Sequence, residues 1–422
     1  MSLSTHLIID LRIRKMEKLH LATIDVGTSK ICTLIAQVES ENAVKILGVG
    51  IEPSQGVRKG MVYDIQQATA AISKSIRKAE RTSGFQISDA IISIAGSHIN
   101  AINNKATVSI VGGCIDEYEI RRVIDSVKAV PIPNNRTILH TMQRTYSVDG
   151  IEGIRSPLGM YGRRLDVEAH IITGATATVE NLKQCILANE IEVNSFVLNS
   201  LAAGEVVLSD IEKQSGVFVC DLGAGTADLA IYFNNDVWHT NSLPIGGAHI
   251  TNDIAQIFHL SYNQAEEVKK IHGSALPELI DDEEFFYARS FGQEESAKYS
   301  RKELASVISV RVEEIFQLIR QDIKRSGIDH ILPAGMVLTG GCALLPGIER
   351  VASNVLGLPV RVAKPENLTG MIDQLDSPAF SASVGLLYWR MKTEVIEDPQ
   401  SRKADPGEAL SKVRRFIRML FP

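Results

Sequence analysis

The sequence lacks the features that mark membrane-spanning, secreted and disulfide-rich or metal-cluster proteins. No apolar run approaches the ~20 residues needed to cross a bilayer, and the N-terminus has no apolar secretory region followed by a small-residue cleavage site. Cysteine is scarce, with five residues that lie far apart and form no Cys-x-x-Cys pair. We therefore expect small apolar core thiols in a reducing compartment, which argues against metal-binding or catalytic cysteines.

An excess of positive charge is also absent. The net charge of −6 argues against nucleic acid as the main partner. With 422 residues, 45% of them hydrophobic and 22% charged, the chain is globular. Because single cores stop growing at roughly 250–300 residues, it contains more than one domain.

The most informative stretch is Asp-Leu-Gly-Ala-Gly-Thr-Ala-Asp at 221–228. Apolar runs at 216–220 and 229–233 predict a tight connection between two buried strands. Its glycines remove the Cβ atoms that would keep a polyanion from the backbone N–H groups. Asp221 is suited to hold hydrated Mg²⁺, and the Thr226 hydroxyl to bond a phosphoryl oxygen. Taken alone, the octapeptide is about equally consistent with an ordinary glycine-rich hairpin.

Two further glycine turns follow predicted strands. Asp-Val-Gly-Thr-Ser-Lys at 25–30 connects strands 21–24 and 31–36, and it is neither a P-loop nor a Rossmann turn. Lys30 suits terminal phosphate oxygens, although a solvated lysine is the commoner explanation for it alone. The pair Gly340-Gly341 follows strand 336–339 and would let a flat ring lie against the backbone. A simple tight turn explains that pair equally well by itself.

The pattern between 86 and 172 differs from the rest of the chain. Alternating strands at 107–111, 138–146 and 165–172 surround one helical segment, 117–127, without a phosphate-type turn. This pattern predicts an inserted α+β module, more typical of protein binding than of chemistry.

The end of the chain is amphipathic. After a polar linker, apolar side chains recur at helical spacing from Val413 to Phe421, with cations mostly on the opposite face. The pattern predicts a helix that lies on a membrane surface without crossing it. A helix docked on its own protein is the alternative, which the long linker and one-sided charge disfavour. The predicted membrane contacts are Val413, Arg414, Arg415, Phe416, Ile417, Arg418, Leu420 and Phe421.

The three glycine turns, in this order, resemble the first phosphate, second phosphate and adenosine motifs of the actin, Hsp70 and sugar-kinase superfamily. Within it, the chain resembles the FtsA family of bacterial actin-like cell-division proteins over almost all of 19–391 and the last eleven residues. The motifs that fit this family lie at 48–50, 55–60, 95–99, 337–341 and 383–387.

The resemblance implies an α/β fold: a two-lobed actin-like ATPase fold, built from duplicated ribonuclease-H-like domains, with an inserted small α+β module. The implied segments are an N-terminal extension (1–18), domain I (19–85, 173–209 and 370–391), the inserted module (86–172), domain II (210–248 and 328–369), its smaller subdomain (249–327), a linker (392–410) and an amphipathic helix (411–422).

The resemblance also implies ATP and Mg²⁺ as cofactors, with Asp25 and Asp221 facing Mg²⁺ through water. The residues that it places around the nucleotide are Asp25, Gly27, Thr28, Ser29, Lys30, Asp221, Gly223, Ala224, Gly225, Thr226, Gly246, Glu266, Lys269, Gly340 and Gly341. For Glu266 and Lys269, an i,i+3 salt pair on an exposed helix is the alternative. Asn199 occupies the place where relatives position the attacking water. Its short neutral amide predicts slow hydrolysis at best.

The implied function is structural. The chain would polymerise and tether the tubulin-like division ring to the inner face of the cytoplasmic membrane at the division site. Its implied partners are the ring protein's C-terminal peptide on 249–327, other copies of the chain, anionic lipid, and other division proteins through the inserted module, with no nucleic acid. Two alternatives stay open: a related pilus-assembly adaptor, which lacks an amphipathic tail, and a small-molecule kinase, for which no Asp base beside a sugar pocket is evident.

Overall fold

A computed structural model describes residues 20–40, 43–328, 332–366 and 368–396. The predicted N-terminal extension (1–18), most of the predicted linker and the whole amphipathic segment (411–422) lie outside the described residues. The last described helix continues to Ile396, so residues 392–396, which the sequence analysis assigned to the linker, are helical.

The first lobe is built on a six-stranded sheet. From edge to edge the strand order is β11-β6-β1-β2-β3-β19. The strands β1, β2 and β3 are antiparallel neighbours, whereas β6 runs parallel to both β1 and β11. The six strands are β1 (His20–Val26), β2 (Lys30–Ser40), β3 (Ala43–Pro53), β6 (Asp89–Ile94), β11 (Glu192–Leu198) and β19 (Leu368–Gly370). A short hairpin, β4 (Val57–Arg58) and β5 (Met61–Val62), follows β3.

Helices cover both faces of this sheet. Because side chains alternate along a strand, Ile24 of β1 packs towards α1 (Ile65–Ser83) and α3 (Thr176–Leu187), while Leu21 packs towards α10 (Ser381–Ile396). Asp64 is the N-cap of α1, because its side chain accepts a hydrogen bond from the N–H of Gln67.

The second lobe repeats the plan of the first. Its five-stranded sheet has the order β14-β13-β12-β17-β18, with β12, β13 and β14 antiparallel and β17 and β18 parallel to β12. The same order and directions run from β3 through β2, β1 and β6 to β11 in the first sheet. The five strands are β12 (Val217–Leu222), β13 (Ala227–Phe233), β14 (Asp236–Leu243), β17 (Met336–Thr339) and β18 (Val360–Val362). The chain therefore contains one fold twice.

Helical segments join and extend the lobes. The helix α4 (Asn199–Val207) contacts both β12 and α10, and a Cβ atom on Gly385 would lie 1.9 Å from the Ala202 carbonyl oxygen. The helices α4 and α10 thus cross at backbone contact distance between the lobes. The other elements of the second lobe are α5 (Asp210–Ser215), α6 (Gly247–Ile257), α7 (Tyr262–His272), β15 (Phe285–Ala288), β16 (Ala297–Ser300), α8 (Arg301–Ser326), α9 (Ile348–Leu356) and 3₁₀ turns at Pro277–Leu279 and Gly341–Leu344.

The inserted module forms a sheet of its own. Its antiparallel order is β7-β10-β8-β9, and α2 packs against β7 and β10. The elements are β7 (Asn100–Ser109), α2 (Glu117–Lys128), β8 (Arg136–Val148), β9 (Ile151–Ile154) and β10 (Arg164–Ala175). The predicted start at 86 is too early, because β6 is apolar enough to be buried between β1 and β11 in the first sheet.

His98, at the entrance to this module, makes stability depend on pH. Burial, and then the charge of Arg136, lower its pKa from 6.5 to about 4, and neither ring nitrogen has a hydrogen-bond partner in the described part of the chain. The unfolded chain takes up this proton near 6.5. The contribution of neutral His98 to the free energy of unfolding is therefore fully present above pH 6.5 and is lost as the pH falls towards 4.

We expect His98→Leu to remove this dependence. Between pH 6.5 and 5, the wild-type chain should lose about 1.4 kcal/mol per pH unit relative to the variant. Urea unfolding at pH 7 and pH 5 measures the difference. Contributions of other buried groups are common to both proteins and cancel, so parallel pH profiles would contradict the prediction.

Candidate functional site

One cleft between the lobes gathers nearly all the predicted site residues. Its volume is about 430 Å³. Gly246 and Gly340 do not line it; each directly precedes a glycine that does. The predicted residues that line the cleft are Asp25, Gly27, Thr28, Ser29, Lys30, Asn199, Asp221, Gly223, Ala224, Gly225, Thr226, Glu266, Lys269 and Gly341.

The two predicted phosphate turns have the same geometry and face each other. In the first, the Gly27 N–H donates to the Lys30 carbonyl at 3.0 Å; in the second, the Gly223 N–H donates to the Thr226 carbonyl at 2.9 Å. A Cβ atom on Gly225 would lie 2.5 Å from Thr28 Oγ1. The turns therefore touch across the cleft, and each presents its backbone to the same space.

Three buried carboxylates line the base of the cleft. Asp25 accepts hydrogen bonds from Ser93 Oγ at 2.9 Å and Ser383 Oγ at 2.5 Å. Asp221 and Asp228 are cross-strand partners on β12 and β13, and both are less than a tenth exposed. This arrangement concentrates negative charge away from water.

That concentration of charge raises pKa values. Burial, and then the charges of Asp228 and Asp25, raise the pKa of Asp221 to about 7. Burial raises the pKa of Asp228 to about 6, against hydrogen bonds from Ser242 and Thr226 that act in the opposite direction. A cation placed between these groups would favour their ionised forms.

The carboxylates of the cleft suit a cation that is also coordinated by water and by oxygen atoms of a bound ligand. Within the described ranges, no three His, Cys, Asp or Glu side chains are close enough to form a metal site by themselves. Mg²⁺ typically uses one or two carboxylates, several waters and substrate phosphate oxygens. Asp25 and Asp221 therefore fit Mg²⁺ accompanied by a phosphate ligand, and they do not form an all-protein ion cage.

Lys30 supplies positive charge beside the carboxylates. Its Nζ atom donates to the Ala379 carbonyl at 2.5 Å and lies 4.6 Å from the centre of the Phe380 ring. Both contacts hold the ammonium at the wall of the cleft, where it is only half-buried. The alternative of a fully solvated strand-end lysine is therefore wrong.

Another part of the cleft wall, beside Gly341, is mainly apolar. A Cβ atom on Gly341 would meet no atom closer than 4.0 Å, so the space above its backbone is open. Lys269 Nζ donates to Glu266 Oε2 at 2.6 Å and to the Gly247 carbonyl at 3.1 Å. The i,i+3 pair thus exists, but it does not lie on an exposed helix surface as the alternative held: the side chains are 13% and 25% exposed, and both line the cleft. The apolar lining here is Ile250, Leu344, Leu345 and Pro346.

Asn199 is the first residue of α4 and lies in the cleft wall. Its Oδ1 atom is buried and has no hydrogen-bond partner among the residues described. A buried amide oxygen without a partner is suited to accept a hydrogen bond from water or a ligand.

Sequence reasoning missed several lining residues. Asp228 stood inside the quoted octapeptide, and its position seven residues after Asp221 across a tight turn was the available signal. Gly247 and Cys342 neighbour predicted glycines. Lys270, Ala379 and Ala382 carried no local signal, because only tertiary packing brings them to the cleft.

Comparisons with known proteins agree with this architecture. The family model described as "Cell division protein FtsA" matches residues 218–385, and the model "SHS2 domain inserted in FTSA" matches 96–173. Among solved structures, the PilM–PilN type IV pilus biogenesis complex has a TM-score of 0.62 at 15% identity and covers 89% of this chain and 99% of that one. MreB5 of Spiroplasma citri bound to ADP has a TM-score of 0.52 at 14% identity and covers 90% and 99%. The fold is therefore actin-like, as predicted, and the predicted inserted α+β module matches an SHS2 domain.

Relatives of similar length carry the name "Cell division protein FtsA". The Pseudomonas aeruginosa protein is 35% identical over 371 residues, covering 88% of this chain and 89% of its own. The Neisseria meningitidis protein is 34% identical, covering 96% and 100%. The Escherichia coli K12 protein is 30% identical, covering 94% and 97%. Identity at this level over nearly the whole length shows that the chain belongs to the FtsA family of cell division proteins.

Proposed function

We propose that this chain binds Mg·ATP between its lobes, assembles into filaments and tethers the division ring to the cytoplasmic membrane through residues 411–422. Membership of a cell-division family supports the cellular role. The observation that carries the nucleotide proposal is the cleft itself, in which two glycine turns closed by the same type of hydrogen bond face each other beside the buried carboxylates.

Different residues of the cleft would bind the phosphates, the Mg²⁺ ion and the adenosine. The N–H groups of the turns at 28–29 and 224–225 would bind the phosphate chain from opposite sides, with Lys30 adding charge. Asp25 and Asp221 would hold the hydrated Mg²⁺, which neutralises phosphate charge. The apolar end beside Gly341 would take the adenosine. MreB5 structures of the same fold bind ADP and AMPPNP, which supports a nucleotide in this cleft.

Hydrolysis is expected to be slow. The groups that face the phosphate turns include Asn199, whose neutral amide cannot act as a base and is too short to align water well. We expect single-turnover phosphate release at about 10⁻³ s⁻¹ or below, the order of an unassisted GTPase. A rate above about 1 s⁻¹ would contradict this role for Asn199.

Gly341→Ala tests the adenosine end. The new methyl group meets no protein atom within 4.0 Å, so the thermal midpoint should not change. If the base lies flat on this backbone, the methyl group occupies its place, and ATP affinity should fall about tenfold, or ~1.4 kcal/mol. Calorimetric titration measures it. Unchanged affinity would show that the base lies elsewhere.

Membrane attachment depends on the tail. No helix of the described residues is long and apolar enough to cross a bilayer.

The smaller subdomain at 249–327, proposed to bind the ring peptide, exposes the aromatic side chains of Tyr287 and Phe291. The inserted module is proposed to bind other division proteins. Exposed apolar side chains, among them Val111 and Tyr161, support an interaction surface there.

Sedimentation with anionic vesicles tests the assembled proposal. Filaments carry many tails, so weak individual contacts add to firm attachment. Mg·ATP should therefore increase the vesicle-bound fraction relative to protein without nucleotide, and filaments should be visible on lipid by electron microscopy. Equal binding with and without nucleotide, with no filaments, would contradict the proposed coupling of ATP to assembly.

A further inference from the structure

A chain of hydrogen bonds leads from the second phosphate turn to the inserted module. Thr226 Oγ1 donates to Asp228 Oδ2 at 2.8 Å, and Ser242 Oγ donates to Asp228 Oδ1 at 2.5 Å. The same Ser242 oxygen accepts the Gly96 N–H at 2.8 Å. All four residues are buried, and Gly96 is where the match to the inserted domain begins. A shift of Thr226 is therefore transmitted to the entrance of the module.

The first phosphate turn reaches the same point. Thr28 Oγ1 accepts the Gly60 N–H at 3.1 Å, in the short hairpin β4–β5. A Cβ atom on Gly60 would lie 2.7 Å from the Ala95 carbonyl oxygen, so the hairpin backbone lies directly against 95–96. Gly96 itself has a φ of +119°, a conformation that side chains other than glycine's rarely adopt. Both turns thus converge on one constrained connection.

The module is also fastened to the second lobe. Arg144 of β8 donates to the carbonyl oxygens of Val237 at 3.0 Å and Trp238 at 2.6 Å. His170 of β10 is hydrogen-bonded through Nε2 to Thr240 Oγ1 at 2.9 Å. These contacts lie on β14, the strand that also carries Ser242. The module is thus covalently part of the first lobe and hydrogen-bonded to the second, so it connects the two lobes.

We propose that Ser242 is a positioning residue that couples the nucleotide in the cleft to the inserted module. Phosphate bound to the backbone of the turn would hold Thr226, whose hydroxyl proton is donated to Asp228. Ser242 connects Asp228 to Gly96, which sets how the module lies against β14. The inference rests on the proposed binding of ATP. In a purely structural role, Ser242 would satisfy two buried groups without any response to nucleotide.

The chain carries natural reporters of this contact. It has two tryptophans, and both contact the module. The Arg144 guanidinium lies 4.6 Å from the Trp238 ring, and His140 meets Trp389 edge-on at 5.4 Å. A change in the position of the inserted module therefore changes the environment of at least one indole ring. Tryptophan fluorescence measures this change without an added label.

The experiment compares the full-length wild type with Ser242→Ala, Ser242→Thr and a matched control, Ser290→Ala. Ser290 is also buried and hydrogen-bonded, to the Phe258 carbonyl, but lies far from the chain of contacts described. Calorimetry first measures binding of Mg²⁺ with a non-hydrolysable ATP analogue. Tryptophan emission is then recorded with and without that ligand, and Trp238→Phe assigns the signal.

We expect wild type, Ser290→Ala and the hydroxyl-retaining Ser242→Thr to show a ligand-dependent emission change. Ser242→Ala loses two hydrogen bonds, neither of them to the ligand, so it should bind within about tenfold of wild type yet lose most of the emission change. A full response in folded Ser242→Ala, or none in a wild type that binds the analogue, overturns the coupling. Absence of calorimetric binding in wild type instead overturns the proposed nucleotide function, and the coupling with it.

Hydrogen exchange of the wild type gives an independent readout should Ser242→Ala fail to fold. The analogue should slow amide exchange at 95–99 and 237–240 by at least about tenfold, because the contacts on both sides of Ser242 become more persistent. Unchanged exchange in both segments, with binding confirmed, overturns the proposal.

Discussion

Replacing Gly225 by alanine should lower the affinity for Mg·ATP by about 100-fold. A Cβ atom at this position would lie 2.5 Å from Thr28 Oγ1 and 3.0 Å from Lys59 Cα, so the two phosphate turns must separate. Overpacking of this kind costs about 1–3 kcal/mol, and the upper part of that range corresponds to 100-fold. The φ of Gly225 lies outside the left-handed region, so the effect is steric.

Calorimetric titration of ATP in the presence of Mg²⁺ measures this loss. Gly341→Ala serves as the matched glycine variant in the same cleft, because the nearest protein atom to its methyl group is Ala379 Cβ at 4.0 Å and its own expected loss of affinity is only about tenfold. Thermal unfolding shows whether each variant is folded. Wild-type affinity in a folded Gly225→Ala would mean that contact between the turns is not needed to bind nucleotide.

Phe416→Glu/Leu420→Glu should abolish binding to anionic vesicles. Five apolar side chains at about 1.5–3 kcal/mol each, and the four cations Lys412, Arg414, Arg415 and Arg418 at about 1 kcal/mol each, favour binding by ~10 kcal/mol before ordering costs. Ordering a helix too short to be stable in water removes much of this. Loss of two apolar groups and gain of two negative charges should therefore weaken binding at least about 100-fold.

Vesicle sedimentation with full-length protein measures the loss. The control is Phe416→Leu/Leu420→Phe, which exchanges the two side chains and keeps both the apolar face and the charge. The control should pellet like wild type. If the double-glutamate variant pelleted equally well, the tail would not be the anchor.

Local sequence was sufficient for the phosphate turns. Asp25 and Asp221 are each the last residue but one of a short apolar strand, and the glycines that follow have few alternatives to a tight connection. The structure places both turns in one cleft, which sequence order alone could not establish without the resemblance. The β-strand pattern was strong because these strands are buried on both faces.

Other features depend on contacts between distant parts of the chain. Gly340 was expected near adenosine, yet it does not line the cleft. A Cβ atom at this position would lie 2.4 Å from Asp221 Oδ1. Its φ of +88° and this close approach make it a support for the carboxylate, a role that no local pattern encodes. Ala379 and Ala382 reach the cleft only because α10 returns to pack on α4.

The boundary of the inserted module shows the same limit. The sequence pattern changes near 86, but β6 pairs with β1 and β11 of the first sheet. The separate sheet of the inserted module therefore begins only at Asn100. Strand membership of a particular sheet is set by tertiary pairing, and a single sequence carries little signal for it.

A structure determined with Mg²⁺ and a non-hydrolysable ATP analogue tests the central claim most directly. We expect the terminal phosphates between the turns at 27–30 and 223–226, Mg²⁺ on the side of Asp25 and Asp221, and the base beside Gly341. A nucleotide bound outside this cleft, or phosphates that contact neither turn, would contradict the account.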